Sequence, residues 1–195
     1  MAQMNKVTTK HKVQGKVLNF LVLRTTTSLN DTLNRHMRVL AIDPGYDRIG
    51  VAVMEKKDNK EILLFSECVQ TDKKADLSRR LFELGEKIEI IIATYKPSAI
   101  GIETLFFNTN QKTGIGVAQA RGIILFLAQK AGCEVFEFGP QEIKVAVTGY
   151  GKSDKTAVID MVKRLVANVP EKAHDDEYDA IAVGITCLAH YRGIN

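Results

Sequence analysis

The sequence predicts an α/β domain in which a five-stranded mixed β-sheet is flanked by α-helices. Three observations predict it. Between residues 38 and 69, short runs rich in Val, Ile and Leu are separated by polar turns, the pattern of consecutive strands. From residue 76 onward, stretches with apolar residues at helical spacing alternate with further short apolar runs. The chain has 195 residues, 45% of them apolar, which suffices for one ordinary domain with a sizeable core.

The elements follow in order. RVLAID (38–43) reads as a strand, PGYDR (44–48) as a turn and IGVAVM (49–54) as a second strand, at lengths that allow a hairpin. The charged turn KKDNK leads into a third strand, EILLFSECV (61–69). Leu77, Leu81, Leu84, Ile88 and Ile91/Ile92 recur at helical spacing, so 76–93 is expected to be an amphipathic helix. Pro97 separates it from a strand over 99–103. Residues 115–131 read as a helix, with Gly116, Ala120 and Gly122 permitting close packing, and 133–138 as a strand. Pro140 suits the first turn of a short helix containing Ile143 and Val147. TGYGKSDK then reads as a loop, 153–167 as a helix with Ser153 as N-cap, and about 175–190 as a final helix with acids in its first turn. Strand 1 is expected to be central, its neighbour antiparallel, and the later crossovers right-handed.

Composition narrows the function classes. Residues 1–36 hold six Lys/Arg against one acid, whereas the rest of the chain holds 21 basic and 22 acidic residues. The net charge of +4 therefore says little about nucleic acid by itself. Residues 1–36 are polar and are expected to form a loosely ordered extension, with 37–195 as the domain; the short patch 17–23 could instead add an edge strand. No stretch has the roughly 18 apolar residues of a membrane span, and KVLNFLVL (16–23) lacks signal-peptide flanks. Cys68, Cys133 and Cys187 are far apart and read as free thiols of a reducing cytoplasm; four scattered histidines argue against structural zinc.

The chemistry resides in carboxylates. Asp43 ends an apolar strand, Glu103 ends another, and Asp176 and Asp179 open an apolar helix at i,i+3 spacing, so they share a face. Each has a plainer reading: Asp43 as a turn acceptor, Glu103 as a lysine partner, the pair as a helix cap. Together, hard oxygen ligands without a Cys or His pattern point to Mg2+, with Mn2+ as a substitute, and to phosphodiester hydrolysis. DPGYDRIG lacks the G-x-G-x-x-G spacing, and a hairpin follows where a dinucleotide fold requires a helix. Lys144, Lys152, Lys155, Lys163 and Arg164 form a local positive band, and Phe106 in TLFFN could be either a stacking wedge or a loop anchor.

The element order resembles the ribonuclease H-like fold. From Met37 to about Tyr191 the chain resembles the RuvC family of bacterial Holliday-junction resolvases. The resemblance is carried by IDPG (42–45), IETLFF with Asn108 (102–108), VAQARG (117–122), EFGPQEIK (137–144), VTGYGKSDK (147–155) and DEYDAIAVGI (176–185). It implies a homodimeric, metal-dependent endonuclease that nicks four-way DNA junctions symmetrically, leaving 5′-phosphate and 3′-hydroxyl ends, with two Mg2+ per site. It also implies RuvA–RuvB as partner machinery. The implied catalytic tetrad is Asp43, Glu103, Asp176 and Asp179, Asp176 being chosen over Asp175 by the D-x-x-D-A spacing. Phe106 falls at the family's junction-inserting aromatic position, and Lys144 and Lys155 at its basic positions. Lys152 and Arg121 are further expected phosphate contacts. Helix 115–131 is a candidate dimer surface through Gly116, Ala120, Gly122, Ile124 and Phe126, with packing of these residues against the chain's own sheet as the equal alternative. The extension and Asp175/Glu177/Tyr178 depart from the family pattern. The competing readings are a YqgF-type nuclease acting on RNA, an ATP-using kinase-like fold, for which the chain is short, and a junction-binding protein without catalysis.

Overall fold

A computed structural model describes residues 37–45, 47–104 and 111–191, the side chains of 111–113 excepted. The extension 1–36 and Phe106 lie outside the described residues. The chain divides after Arg35, and the fold below is that of the second unit by itself.

β1 (Met37–Asp43) is central and pairs antiparallel with β2 (Arg48–Lys57), which pairs antiparallel with β3 (Lys60–Gln70). Asp58 and Asn59 take left-handed backbone angles between β2 and β3, the geometry of a tight hairpin, which Asp and Asn tolerate best after glycine. α1 (Leu77–Tyr95) crosses to β4 (Ala99–Glu103), parallel to β1, and α2 (Gln111–Ala131) crosses to β5 (Glu134–Phe138), parallel to β4. α3 (Pro140–Thr148), α4 (Lys155–Leu165), β6 (Val166–Ala167) and α5 (Asp175–His190) complete the fold. The sheet order is β5-β4-β1-β2-β3-β6.

Two expectations are corrected. The sheet has six strands, not five: Val166 and Ala167, expected to end a helix, pair parallel with Glu61 and Ile62. Two β-branched-to-small residues carry almost no strand signal, and only the exposed edge of β3 gives them a partner. The helix before them starts later than expected because Asp154, not Ser153, is the N-cap, accepting the Ala157 N–H at 2.8 Å. Ser153 instead bonds Thr148 at 2.7 Å and the Tyr150 carbonyl at 2.8 Å, closing the preceding loop on itself.

The period of two along β1 divides the core. Val39 and Ala41 face α5 together with Ala52 and Met54 of β2, whereas Leu40 and Ile42 face α1 and α2 with Val51, Val53, Ile100 and Ile102. α5 is buried along most of its length, and glycines let it lie against the strands. A Cβ at Gly101 would meet Cys187 Cβ at 2.9 Å, and one at Gly50 would meet the Asp176 carbonyl oxygen at 1.8 Å. On α2, Ala120 and Ile124 pack into the chain's own core, so they are not surface residues. Ile115 and Phe126 are 61% and 65% exposed, and Gly122 faces open space.

Candidate active site

Strand polarity gathers the four acids. β1 and β4 are parallel, so Asp43 and Glu103, each the last residue of its strand, emerge on one rim. Alternation turns both toward α5: Asp43 continues the face of Val39 and Ala41, and Glu103 that of Ala99 and Gly101. Asp43 pairs across the hairpin with Gly50, and Gly50 touches the first turn of α5. This places Asp176 and Asp179 over the same rim.

Asp43 shares a hydrogen bond with Glu103. Its pKa is pushed up to about 8, first by burial, then by the charges of Glu103 and Asp179, the shared bond and Asp176. Glu103 is also raised, mainly by burial, against the bond with Asp43 and the charge of Lys144. Burial raises Asp179 while Lys155 opposes the rise. These acids hold more negative charge than the local cations cancel, which is the condition a hard divalent cation relieves. The donor set, carboxylate oxygen throughout, fits Mg2+ or Mn2+.

The two acids on α5 are held by cations. Arg48 Nε lies 3.3 Å from Asp176 Oδ2, and Lys155 Nζ lies 3.2 Å from both Asp179 Oδ2 and Asp175 Oδ2. Among the described residues, no three or more His, Cys, Asp or Glu side chains are already gathered at metal-ligand spacing. These ion pairs hold Asp176 and Asp179 in contact with basic side chains. Asp175, 67% exposed, reaches Lys155 from outside the rim.

The other expected site residues divide. Lys144 and Lys155 line a cleft of about 220 Å³ with Glu103, Asp179, Pro140 and Ile143. Lys152 is exposed on the loop that Ser153 and Thr148 tie down, beside Tyr150. Arg121 is engaged by Glu137 of β5. Three side chains at the site escaped the sequence reading. Arg48 and Cys68 both touch Asp176, the thiol at 3.5 Å, and Glu177 accepts from Ser66 at 2.7 Å and from the His174 N–H at 3.1 Å. Glu177 thereby ties the start of α5 to β3. Hairpin register contained the signal for the first two: Arg48 and Gly50 lie on one face of β2, and Cys68 is opposite Gly50.

The register of the α5 acids is testable. Asp176→Asn is expected to lower cleavage by about two orders of magnitude or more, and Asp175→Asn by less than about tenfold, since only the former takes a carboxylate from the rim. Single-turnover cleavage of the two variants at saturating Mg2+ compares them, and equal losses would refute the assignment.

The profile of the family described as crossover junction endodeoxyribonuclease RuvC matches residues 39–187. The crossover junction endodeoxyribonuclease RuvC of Petrotoga mobilis is 38% identical over 156 residues, spanning 80% of this chain and 95% of its own. That of Caldanaerobacter subterraneus is 41% identical over 154 residues, spanning 79% and 93%. The solved structure of Thermus thermophilus RuvC in complex with Holliday junction substrate superposes with a TM-score of 0.72 at 29% identity, covering 77% of this chain and 92% of that one. The yeast mitochondrial Holliday junction resolvase, at a TM-score of 0.56 and 18% identity, shares the fold. With its sheet order, its acid-bearing rim and a match running through nearly the whole described unit, the chain belongs to the RuvC family of crossover junction endodeoxyribonucleases.

Proposed function

We propose that this protein resolves four-way DNA junctions by metal-dependent hydrolysis of two symmetry-related phosphodiesters, leaving 5′-phosphate and 3′-hydroxyl ends. The observation that carries the reading is one rim holding Asp43, Glu103, Asp176 and Asp179 beside a cleft that also presents Lys144 and Lys155. Asp43, Glu103, Asp176 and Asp179 would hold Mg2+, two ions per site, with Mn2+ able to substitute. Such ions supply polarisation of the attacking water and neutralise charge on the departing 3′ oxygen.

The chain's own residues do the rest. The Asp43–Glu103 pair gives up its shared proton as the site is loaded, because a ligating carboxylate must be ionised. Lys144 and Lys155, which line the cleft together with Glu103 and Asp179, bind the non-bridging oxygens of the scissile phosphate. Without them the acids would repel it. Lys152 and Tyr150, on a loop made rigid by its own hydrogen bonds, contact the flanking backbone. Phe106, four residues before the end of the connection into α2, stacks on an opened base at the crossover. Arg121 contacts phosphate only by leaving Glu137. The expected cellular setting is the cytoplasm, with RuvA–RuvB as the branch-migration partner; no described helix is long and apolar enough to cross a membrane.

The test offers purified full-length protein with Mg2+ a mobile four-way junction, linear duplex, a flap and matched RNA. Paired, symmetric nicks confined to the junction are expected. Equal or preferential cleavage of RNA would replace this reading with that of an RNA-processing nuclease, and tight junction binding without incision would make the protein a binder.

Symmetric incision calls for an isologous dimer. The outward stripe of α2, Ile115, Gln119, Gly122 and Phe126, fits that surface, whereas Ala120 and Ile124 serve the chain's own core. Phe126→Glu is expected to cost about 3–6 kcal/mol per dimer, two aromatic burials at once, and to give a monomer in sedimentation equilibrium at micromolar protein. A variant that remains dimeric would move the interface elsewhere.

A further inference from the structure

Among the described residues, Arg48 is the cation at the rim whose position follows from the central hairpin. It is the first residue of β2, its side chain is half exposed, and it shares the α5-facing side of the strand with Gly50, which pairs with Asp43. Its Nε lies 3.3 Å from Asp176 Oδ2, and the thiol of Cys68 approaches the same oxygen at 3.5 Å. A half-exposed arginine–carboxylate pair is weakly held, because water screens it and fixing the long side chain costs entropy. A divalent cation placed on Asp176 meets Arg48 as a like charge and competes for the same oxygen.

Asp179 stands in a similar relation to Lys155. Asp176 and Asp179 thus each pair with a cation on the rim. A guanidinium released from a carboxylate retains its planar fork of donors, which suits a phosphate equally well.

We propose that Arg48 is a phosphate-binding residue held in reserve: it pairs with Asp176 until a divalent cation takes that carboxylate, and then contacts the junction backbone beside the scissile bond. The proposal rests on reading the rim as the metal site of a junction nuclease. It makes metal and DNA binding mutually reinforcing at this residue, since each ligand favours the state in which Arg48 has left Asp176, and such coupling is reciprocal. In the metal-free protein Arg48 neutralises a buried-side acid; in the loaded protein the same charge serves the substrate.

The experiment compares the parent, Arg48→Met and Arg48→Lys by junction affinity against potassium salt, in EDTA and in saturating Ca2+, with folding checked by thermal unfolding. Each phosphate contact contributes about 0.9 to the slope of log affinity against log salt. Arg48→Met is expected to lose roughly one such unit, and about tenfold in affinity, in Ca2+, while staying within about twofold of the parent in EDTA; Arg48→Lys restores most of the slope. Calorimetric Ca2+ titration of DNA-free protein is expected to show Ca2+ binding to Arg48→Met a fewfold more tightly, because a competitor for Asp176 is gone. Slopes equal to the parent's in both conditions, with lowered thermal stability, would make the pair a brace for α5 and overturn the proposal. An equal loss in EDTA and in Ca2+ would make Arg48 a standing contact, which also overturns it. A parent that binds junction no better than linear duplex would overturn the underlying functional reading as well, so the two failures are distinguishable.

Discussion

Asp43→Asn is expected to reduce junction cleavage by about three orders of magnitude, leave junction affinity within a fewfold of the parent, and stabilise the metal-free protein at alkaline pH. The first two effects follow from its place on the central strand: it shares its hydrogen bond with Glu103 and feels the charges of Glu103, Asp179 and Asp176. Asparagine preserves the shape and supplies no negative charge for a cation. The third effect has a sign fixed by linkage. The folded protein raises Asp43 from its ordinary 3.8 to about 8, so the folded state holds a proton that the unfolded chain has released. The stability this contributes is fully present below about pH 4 and is lost as pH rises from there to about 8. Metal-free parent should therefore unfold at a lower temperature at pH 8.5 than at pH 5.5. Asp43→Asn should escape much of that loss, by roughly 2 kcal/mol or more. Mg2+ should reverse the alkaline loss in the parent and not in the variant. Thermal unfolding of both proteins at the two pH values, with EDTA or Mg2+, measures all three. A variant that loses stability as steeply as the parent would show that Asp43 is ionised without metal.

The second large effect is expected at a residue with no functional group. Gly50→Ala places a methyl group 1.8 Å from the Asp176 carbonyl oxygen, 2.6 Å from its carbon and 3.2 Å from the Ala180 methyl. Two of these obstacles are backbone, so no rotamer change relieves them, and the start of α5 must withdraw from the sheet by about an ångström or more. Asp176 and Asp179 move with it while Asp43 and Glu103 stay on their strands. A displacement of that size costs about a hundredfold in rate when catalytic groups must converge, and overpacking costs about 1–3 kcal/mol of stability. Gly184→Ala is the control. Its methyl group would meet Met54 Sδ at 2.3 Å, but Met54 is an unbranched side chain, and Gly184 lies further along α5 from the acids. It should lower stability comparably with a much smaller loss of cleavage. Parental cleavage by Gly50→Ala would mean that α5 tolerates the shift and that its acids are not position-critical.

Much of this fold was legible from periodicity because the strands are buried on both faces or alternate cleanly. RVLAID and SAIGIE read as strands, and the Leu77–Ile92 spacing as a helix, because a long apolar pattern leaves few alternatives. Positions 153–167 were legible only in part. The capping choice between Ser153 and Asp154 turned on which side chain the preceding loop had already engaged, and β6 exists because β3 offers an open edge. The stripe on α2 left two readings open for a similar reason: Ala120 and Ile124 differ from Gly122 and Phe126 in burial, not in residue type.

By itself, the sequence marked out the candidate acids and the order in which they come, since a carboxylate at the end of a buried strand or the start of a buried helix is costly and therefore conspicuous; the choice of Asp176 over Asp175 came from the family resemblance. It determined as well that a basic stretch from Lys144 to Arg164 lies between Glu103 and Asp176 and, through its matching blocks, which family to expect. Only the tertiary structure decided what those acids touch in the protein as folded: Asp43 bonded to Glu103, Asp176 held by Arg48 and Cys68, Asp179 by Lys155, and Arg121 occupied by Glu137. Such pairings arise between residues as far apart as 48 and 176, brought together by strand register and by the close approach that Gly50 allows. Local propensity is blind to them because a side chain's partner depends on distance in space, and that distance is set only when the whole sheet and its covering helix have packed.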